Sequence, residues 1–384
     1  MASDITIDNT TSGALDGIVV ADFSRVLAGP YATMMLADMG AEVIKVERPE
    51  VGDDTRHWGP PLGPDGQATY FAGVNRNKQT VAIDLQSPEG LDEARELADR
   101  ADVLVHNFRP GVMERLGLGY CQVAETNPGV IYASLSGFGT SEEGAKLGGY
   151  DLVVQAVGGM MSVTGEDADH PVKVGVAVID VLTGLHLGMG VLAALHHRDR
   201  TGRGQQIETD LMSCSLASLV NQSAAYAGAG KVARPLGNRH PSIAPYEVFH
   251  TAAGDLAVAA GNDSLYRRFC EVLGLPELID DPRFTTNPQR VAHRDELIPV
   301  IEERLRTRTA DEWFLLLREV GVPAGPVNDM AGAFSFAESL GLDPVIDIDG
   351  SRSVRNPLTL SDTPVTYRSP APQMPDVRSL SSLD

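Results

Sequence analysis

Cysteine is scarce: Cys121, Cys214 and Cys270 are the three in 384 residues, far apart and with no C-x-x-C pairing. That excludes a disulfide framework and a cysteine-based zinc site, and it fits a reducing cytoplasm. Basic residues are also in deficit, with 31 Lys plus Arg against 52 Asp plus Glu and a net charge of −21. Such a field repels nucleic acid and anionic membranes at long range, so an anionic ligand has to be captured by a local basic pocket. No long hydrophobic run is present either. The most apolar window, Val181 to Leu195, is broken by Thr183, His186 and three glycines and reads as too short to span a bilayer. The first residues, MASDITIDNTTSGALDG, are polar and acidic where a signal peptide needs a basic start and an apolar stretch. The expectation is a soluble cytoplasmic protein with neither nucleic acid nor membrane as partner.

Two nucleotide signatures are absent as well. No G-x-G-x-x-G follows the first strand, where the chain reads SRVLAGPYA, and no G-x-x-x-x-G-K-[ST] occurs anywhere, so a nucleotide redox cofactor and a P-loop lose their main support. The histidines show no metal-binding spacing, and His196 and His197 read as structural residues near a helix C-terminus.

What is there is a chain that is 43% hydrophobic, long enough for more than one core. Gly17 to Phe23 predicts a strand, Pro30 to Gly40 a helix and Glu42 to Val46 a second strand, together a βαβ unit. Thr80 to Leu85, Asp102 to Val105 and Val130 to Ser134 add strands. Between them Ser87-Pro88-Glu89 supplies a cap, a first-turn proline and a dipole-facing acid for a helix ending near Arg100. A long helix from about Asp180 to Arg198, the turn Thr201 to Gly204 and a strand from Gln206 to Leu211 follow. This alternation predicts a largely parallel sheet covered by helices on both faces. From about residue 228 to 325 the pattern changes to short strands, Tyr246 to His250 and Leu256 to Ala260, and polar helices, among them one opened by a Thr309-x-x-Glu312 capping box. The expected domains are 1–227 (large), 228–325 (small, α+β) and 326–384, a return to the large domain whose end, from about Asn356, reads as an extended strap.

Periodicity does not account for a further set of segments. SRVLAGPYATMMLADMGAEVIKVERPEVGDDTRHWGPP, NRNKQTVAIDL, ADVLVHNFRPGVMERLGLGY, SGFG, GYDLVVQA, KVGVAVIDVLTG, TGRGQ, DPRF and GVPAGPVN occur in order over nearly the whole chain. Together they resemble the class III CoA-transferases of CaiB/BaiF type, the family of formyl-CoA:oxalate and carnitine CoA-transferases. The resemblance implies an α/β fold: a Rossmann-like large domain built from both chain ends, a smaller α+β domain, and a homodimer of interlocked rings. It also implies coenzyme A, carried as the acyl-CoA co-substrate, with no metal.

By the same resemblance the nucleophile falls on Asp180, in VGVAVIDVLTG. A carboxylate in a dry pocket can attack a thioester, giving a mixed anhydride that CoA thiolate reopens as an aspartyl-CoA thioester. Position alone would make Asp180 an N-cap or first-turn helix acid. CoA-binding roles carry over to Val26, Ala28, Arg48, Asn107, Phe108 and Arg115, whose guanidinium forks suit phosphate oxygens; Arg56, Arg76, Lys78 and Arg109 are weaker candidates. Tyr150 occupies the place where the related α-methylacyl-CoA racemases carry a histidine base; a phenol near pKa 10 is a poor base at neutral pH, so Tyr150 reads as a substrate-orienting group.

GNRHPSIAPYEVF resembles the branch that moves CoA from succinyl-CoA to small dicarboxylates, which puts Arg239 and His240 toward a distal carboxylate. The expected activity is therefore CoA transfer from succinyl-CoA to a small dicarboxylic acid. A racemase-like enzyme and a catalytically inactive CoA-binding protein are the alternatives.

Overall fold

The computed structural model describes residues 13–374. The chain forms two compact units: Met1–Met160 with Lys173–Lys231 and Asp343–Asp384, and Met161–Val172 with Val232–Leu342. In the first unit six strands lie in the order β3-β2-β1-β4-β5-β6, all parallel. They are β1 (Val19–Asp22), β2 (Glu42–Glu47), β3 (Lys78–Ala82), β4 (Val103–His106), β5 (Ile131–Ser136) and β6 (Gln205–Asp210). Two successive crossover sets, one running outward from β1 and one from β4, make a doubly wound sheet whose switch point lies between β1 and β4. Loops after β1 and β4 therefore diverge there and leave a crevice at the carboxyl ends of the strands.

β4 is buried along its whole length, as a strand covered on both faces must be. The Ala28–Asp38 helix is buried nearly all round because the Val178–Thr201 helix packs against its outer side. Gly184 makes that approach possible, since a Cβ there would stand 2.5 Å from the Ala28 carbonyl oxygen. The Pro88–Arg100 helix starts as its sequence predicts: Ser87 Oγ accepts the Gly90 N–H at 3.0 Å, with Pro88 in the first turn.

Two expectations need correction. β3 begins at Lys78, not Thr80, because the lysine is buried and its charge is met by Asp22 at 3.1 Å. The apolar segment around Val181 belongs to a 24-residue helix, closed by Gly202 at φ 70°, which by length and composition is long enough to cross a membrane. One side of it is core nonetheless: Ile179, Leu187, Val191 and Ala194 are buried in the first unit.

The hairpin of β10 (Val345–Ile348) and β11 (Ser351–Val354) turns through Asp349 and Gly350, both at positive φ. Beyond it residues 356–374 run without helix or strand along the first unit. Asn356 Nδ2 donates to Asp38 at 2.9 Å, and Asn77 donates to the carbonyls of Ser369 at 3.0 Å and Thr366 at 2.8 Å. The last ten residues of the strap lie outside the described residues.

The second unit has its own core of Phe249, Leu256, Phe269, Ile301, Leu305, Trp313 and Leu317. Its antiparallel sheet consists of β7 (Tyr246–His250), β8 (Asp255–Ala259) and β9 (Ala324–Pro326), backed by helices that include Asp263–Leu273, Arg294–Leu305 and Ala310–Glu319. Thr309 and Glu312 form the anticipated capping box.

Candidate active site

The crevice at the switch point is a cavity of about 410 Å³. Val26, Ala28, Asn107, Phe108, Tyr150 and Asp180, from segments scattered over more than 150 positions, all line it. A second hollow of about 320 Å³, lined by Arg48, Val46, Ile83, Leu85 and Gln86, shares Arg25, Phe108 and Val112 with the first. Arg115, exposed on the short Val112–Arg115 helix, is absent from both walls and directly precedes Leu116, which lines the second. Arg239 and His240 belong to the second unit. There Arg239 stands 3.6 Å from both Glu247 and Asp295, and the His240 ring packs on Tyr246.

The loop after β1 is held residue by residue. Lys45 Nζ donates to the Ser24 carbonyl at 2.9 Å; the Asn107 amide brackets Arg25, accepting its N–H at 2.9 Å and donating to its carbonyl at 2.6 Å. The Val26 N–H meets Asp53 at 3.3 Å, and Asp53 is paired with Lys45 at 2.9 Å, both side chains wholly buried. These clamps keep Val26 at φ 72°, a left-handed conformation that a β-branched residue adopts only under constraint. The result is a fixed wall of backbone facing the cavity. Asn107 thus shapes that wall as well as lining it.

Beneath the loop lies a buried ionic network. Burial alone would raise the Asp22 carboxyl, but Lys78 and Lys45 outweigh it and bring it down to about 2. Burial lowers Lys78 to about 8 against the opposing pull of Asp22. The His106 imidazole, at the end of β4, is pushed down to about 4 by burial and is neutral at physiological pH.

Asp180 has the opposite environment. It is half-buried in the first turn of its helix, and among the described residues no hydrogen bond or ion pair reaches its carboxylate. Burial, then the neighbouring Asp151 charge, pushes its carboxyl up to about 7. Tyr70 shares that neighbourhood; burial and then the charges of Asp180 and Asp151 raise its phenol. Strongly shifted groups in a cleft are the usual mark of a reactive site. Tyr150, on the same wall, is largely exposed and precedes the Asp151–Val157 helix.

Residues 15–376 match the model of CoA-transferase family III. The chain belongs to CoA-transferase family III. A succinate–glutarate CoA-transferase of Agrobacterium fabrum is 41% identical over 370 residues, covering 94% of this chain and 92% of that protein. A human succinyl-CoA:glutarate CoA-transferase is 43% identical over 321 residues, 84% of this chain and 73% of its own length. The crystal structure of a CaiB/BaiF family protein from Brucella suis superposes with a TM-score of 0.86 at 40% identity, covering 94% of this chain and 97% of that one. The protein is therefore an enzyme of the acyl-CoA:carboxylate CoA-transferase class, and it shares its fold with that CaiB/BaiF family protein.

Family membership accords with a doubly wound fold that lacks a dinucleotide fingerprint. Sequence reasoning missed Asp151, Tyr70 and Arg25. Asp151 stands in the quoted GYDLVVQA segment beside Tyr150, and its spacing of four from Gln155 was the available signal. Tyr70 carries no local signal, since a phenol in a four-residue helix is an ordinary packing group.

Proposed function

We propose that this enzyme transfers CoA from succinyl-CoA to a small dicarboxylic acid, with Asp180 as nucleophile. The observation that carries the reading is an unpaired, half-buried carboxylate on the wall of the switch-point cavity, its carboxyl pushed up to about 7. Ionised, it attacks the thioester carbonyl carbon; the C–S bond breaks and thiolate leaves with the electron pair, giving a succinyl–aspartyl anhydride. Thiolate then attacks the aspartyl carbon, releasing succinate and leaving aspartyl-CoA. The acceptor carboxylate attacks that thioester, forms a second anhydride and expels thiolate, which attacks the acceptor's acyl carbon and regenerates Asp180. One thioester replaces another, so neither ATP nor a redox group is needed.

The two joined hollows suit the two ends of acyl-CoA. Arg48 and Phe108 are assigned to the phosphorylated nucleoside, with Arg115 nearby, while Val26 and Ala28 line the same cavity as Asp180. Tyr150 orients the acyl carbonyl. A phenol there favours transfer over proton abstraction from an α-carbon. Arg239 and His240 are assigned to the acceptor's second carboxylate. Relatives whose names give succinyl-CoA or succinate with glutarate support donor and acceptor alike. Leu185, Met189 and Leu192, exposed on the Val178–Thr201 helix, support a homodimer in which a second copy covers them, and CoA esters as substrates support a cytoplasmic setting.

The test is a panel of acids with succinyl-CoA, read by mass spectrometry of the CoA esters. Dicarboxylates such as glutarate, mesaconate, itaconate and citramalate are expected to exceed acetate, propionate and butyrate at least tenfold in kcat/KM, about 1.4 kcal/mol. Arg239→Ala should narrow the gap by slowing the dicarboxylates. A wild-type preference for monocarboxylates would overturn the acceptor assignment and leave the Asp180 chemistry standing.

A further inference from the structure

We propose that Asp151 is a positioning residue for the nucleophile: its carboxylate, locked by Gln155, caps the helix that carries Asp180 and sets a second negative charge beside the attacking group. The inference rests on Asp180 being that nucleophile.

The Val178–Thr201 helix has no cap of its own, because Ala177 stands at the N-cap without a side-chain acceptor. The donors at its start are taken from elsewhere. Asp151 Oδ1 accepts the Ile179 N–H at 2.8 Å and the Asp180 N–H at 3.2 Å, reaching across 28 and 29 positions of chain. Its other oxygen, Oδ2, accepts from Gln155 Nε2 at 2.6 Å, so both oxygens are fixed. Gln155 is fully buried and holds the approach segment as well: its Oε1 accepts the Val174 N–H at 2.8 Å and its Nε2 lies 3.3 Å from the Val176 carbonyl. Residues 174 to 180 thus hang on one Asp–Gln pair.

This arrangement divides the helix terminus unequally between two acids. A first-turn aspartate ordinarily gains from the helix dipole and its free N–H groups. Here Asp151 has those donors, and Asp180 is left with the neighbouring charge. The groups facing Asp180 do not offset it directly. Tyr70 is neutral, Tyr150 is exposed, Arg25 and Asp54 stand 4.0 Å apart on the same cavity, and among the described residues neither Arg25 nor Arg109 is bonded to the Asp180 carboxylate.

The consequence is chemical. When Asp180 attacks a thioester, its negative charge passes to the departing CoA sulfur and the new anhydride is neutral. Repulsion from Asp151 exists before the step and is gone after it, so the pair favours covalent intermediates. A more basic carboxylate is also the stronger nucleophile.

Two substitutions separate charge from shape. Asp151→Asn keeps an acceptor oxygen for the Ile179 and Asp180 N–H groups and removes the charge, at the cost of the Gln155 Nε2 bond, which an amide nitrogen cannot accept; Asp151→Glu keeps the charge and displaces it by one methylene. The acid limb of kcat/KM should move to lower pH by about one unit in Asp151→Asn, with kcat down at least tenfold. In Asp151→Glu the limb should stay while kcat falls. Thermal unfolding and CoA affinity report whether each variant is folded. A folded Asp151→Asn enzyme with the wild-type limb overturns the proposal, since a merely structural cap would lower activity without moving it. Should Asp151→Asn not fold, an Asp151→Glu enzyme with unchanged kcat overturns it. Asp180→Ala keeps the two readings apart: its activity would defeat the nucleophile assignment, whereas an inactive Asp180→Ala with an unmoved Asp151→Asn limb defeats only the role given to Asp151.

Discussion

Asp22 and Asp180 are the same residue in the same unit, both withdrawn from water, and their carboxyls move in opposite directions. Asp22, fully buried, accepts from Thr33 and Lys78 and is held at about 2; Asp180, half-buried and unpartnered, is pushed to about 7. Burial acts on both in the same sense, so the difference lies in the partners. The first arrangement supports the loop at residues 24–28 through Lys45, and the second leaves an unpartnered carboxylate on the cavity wall. A carboxylate denied its counter-ion is poor for stability and good for nucleophilic chemistry.

The comparison breaks most severely on its paired side. Lys78→Met removes the directly paired cation from Asp22 and leaves its buried charge to Lys45 alone, so unfolding in urea should show a loss of up to about 3 to 5 kcal/mol. The substitution touches no cavity-lining residue, so whatever protein remains folded should still transfer CoA. An unchanged denaturation midpoint would show that Asp22 does not depend on Lys78.

A smaller effect is expected at the cavity, where the ligand and the chain's net charge have the same sign. Arg48→Ala, and likewise Arg115→Ala, should weaken CoA binding by about 1 to 3 kcal/mol in calorimetry. Unchanged affinity in both variants would place the phosphates elsewhere.

The pH dependences sharpen the contrast and are the smallest effects. With Asp180 as the proposed nucleophile, attack requires its ionised form, so kcat/KM should rise with pH and level off above a limb near 7. Its folded value lies above its unfolded one, so its contribution to stability is full below about pH 4 and lost as pH rises through about 7. Asp180→Asn escapes that loss. Its Tm should therefore exceed wild type at pH 8 and converge with it at pH 4, as read by calorimetric scans. Asp22 has the reverse sign: its contribution is present above its ordinary value and is lost as pH falls through about 2.

Much of the fold was legible in local chemistry. Apolar runs placed the strands of the parallel sheet to within a few residues, and Ser87 and Thr309 marked helix starts with side chains that do cap. The Asp349-Gly350 turn between alternating residues was equally readable and had not been anticipated. Strand order was not available from composition, because it depends on pairings such as β1 with β4 across more than 80 positions. The same limit hid the ionic floor. Lys78 reads as a surface charge until Asp22, 56 positions away, is seen beside it. Of the site, motif resemblance located Asp180, Tyr150, Val26, Ala28, Asn107 and Phe108, which share one cavity. Resemblance did not show what holds them, since Asp151, Gln155 and Lys45 act through backbone groups of other segments.

The most direct test of the nucleophile is to trap it. Wild-type enzyme incubated with succinyl-CoA and hydroxylamine, then digested and read by peptide mass spectrometry, should carry a hydroxamate on Asp180 alone, at a rate that follows turnover. Asp180→Ala should be unlabelled and at least about 10³-fold slower in transfer while still binding CoA. Full turnover with Asp180 unmodified, or a hydroxamate on another acid, would contradict the assignment.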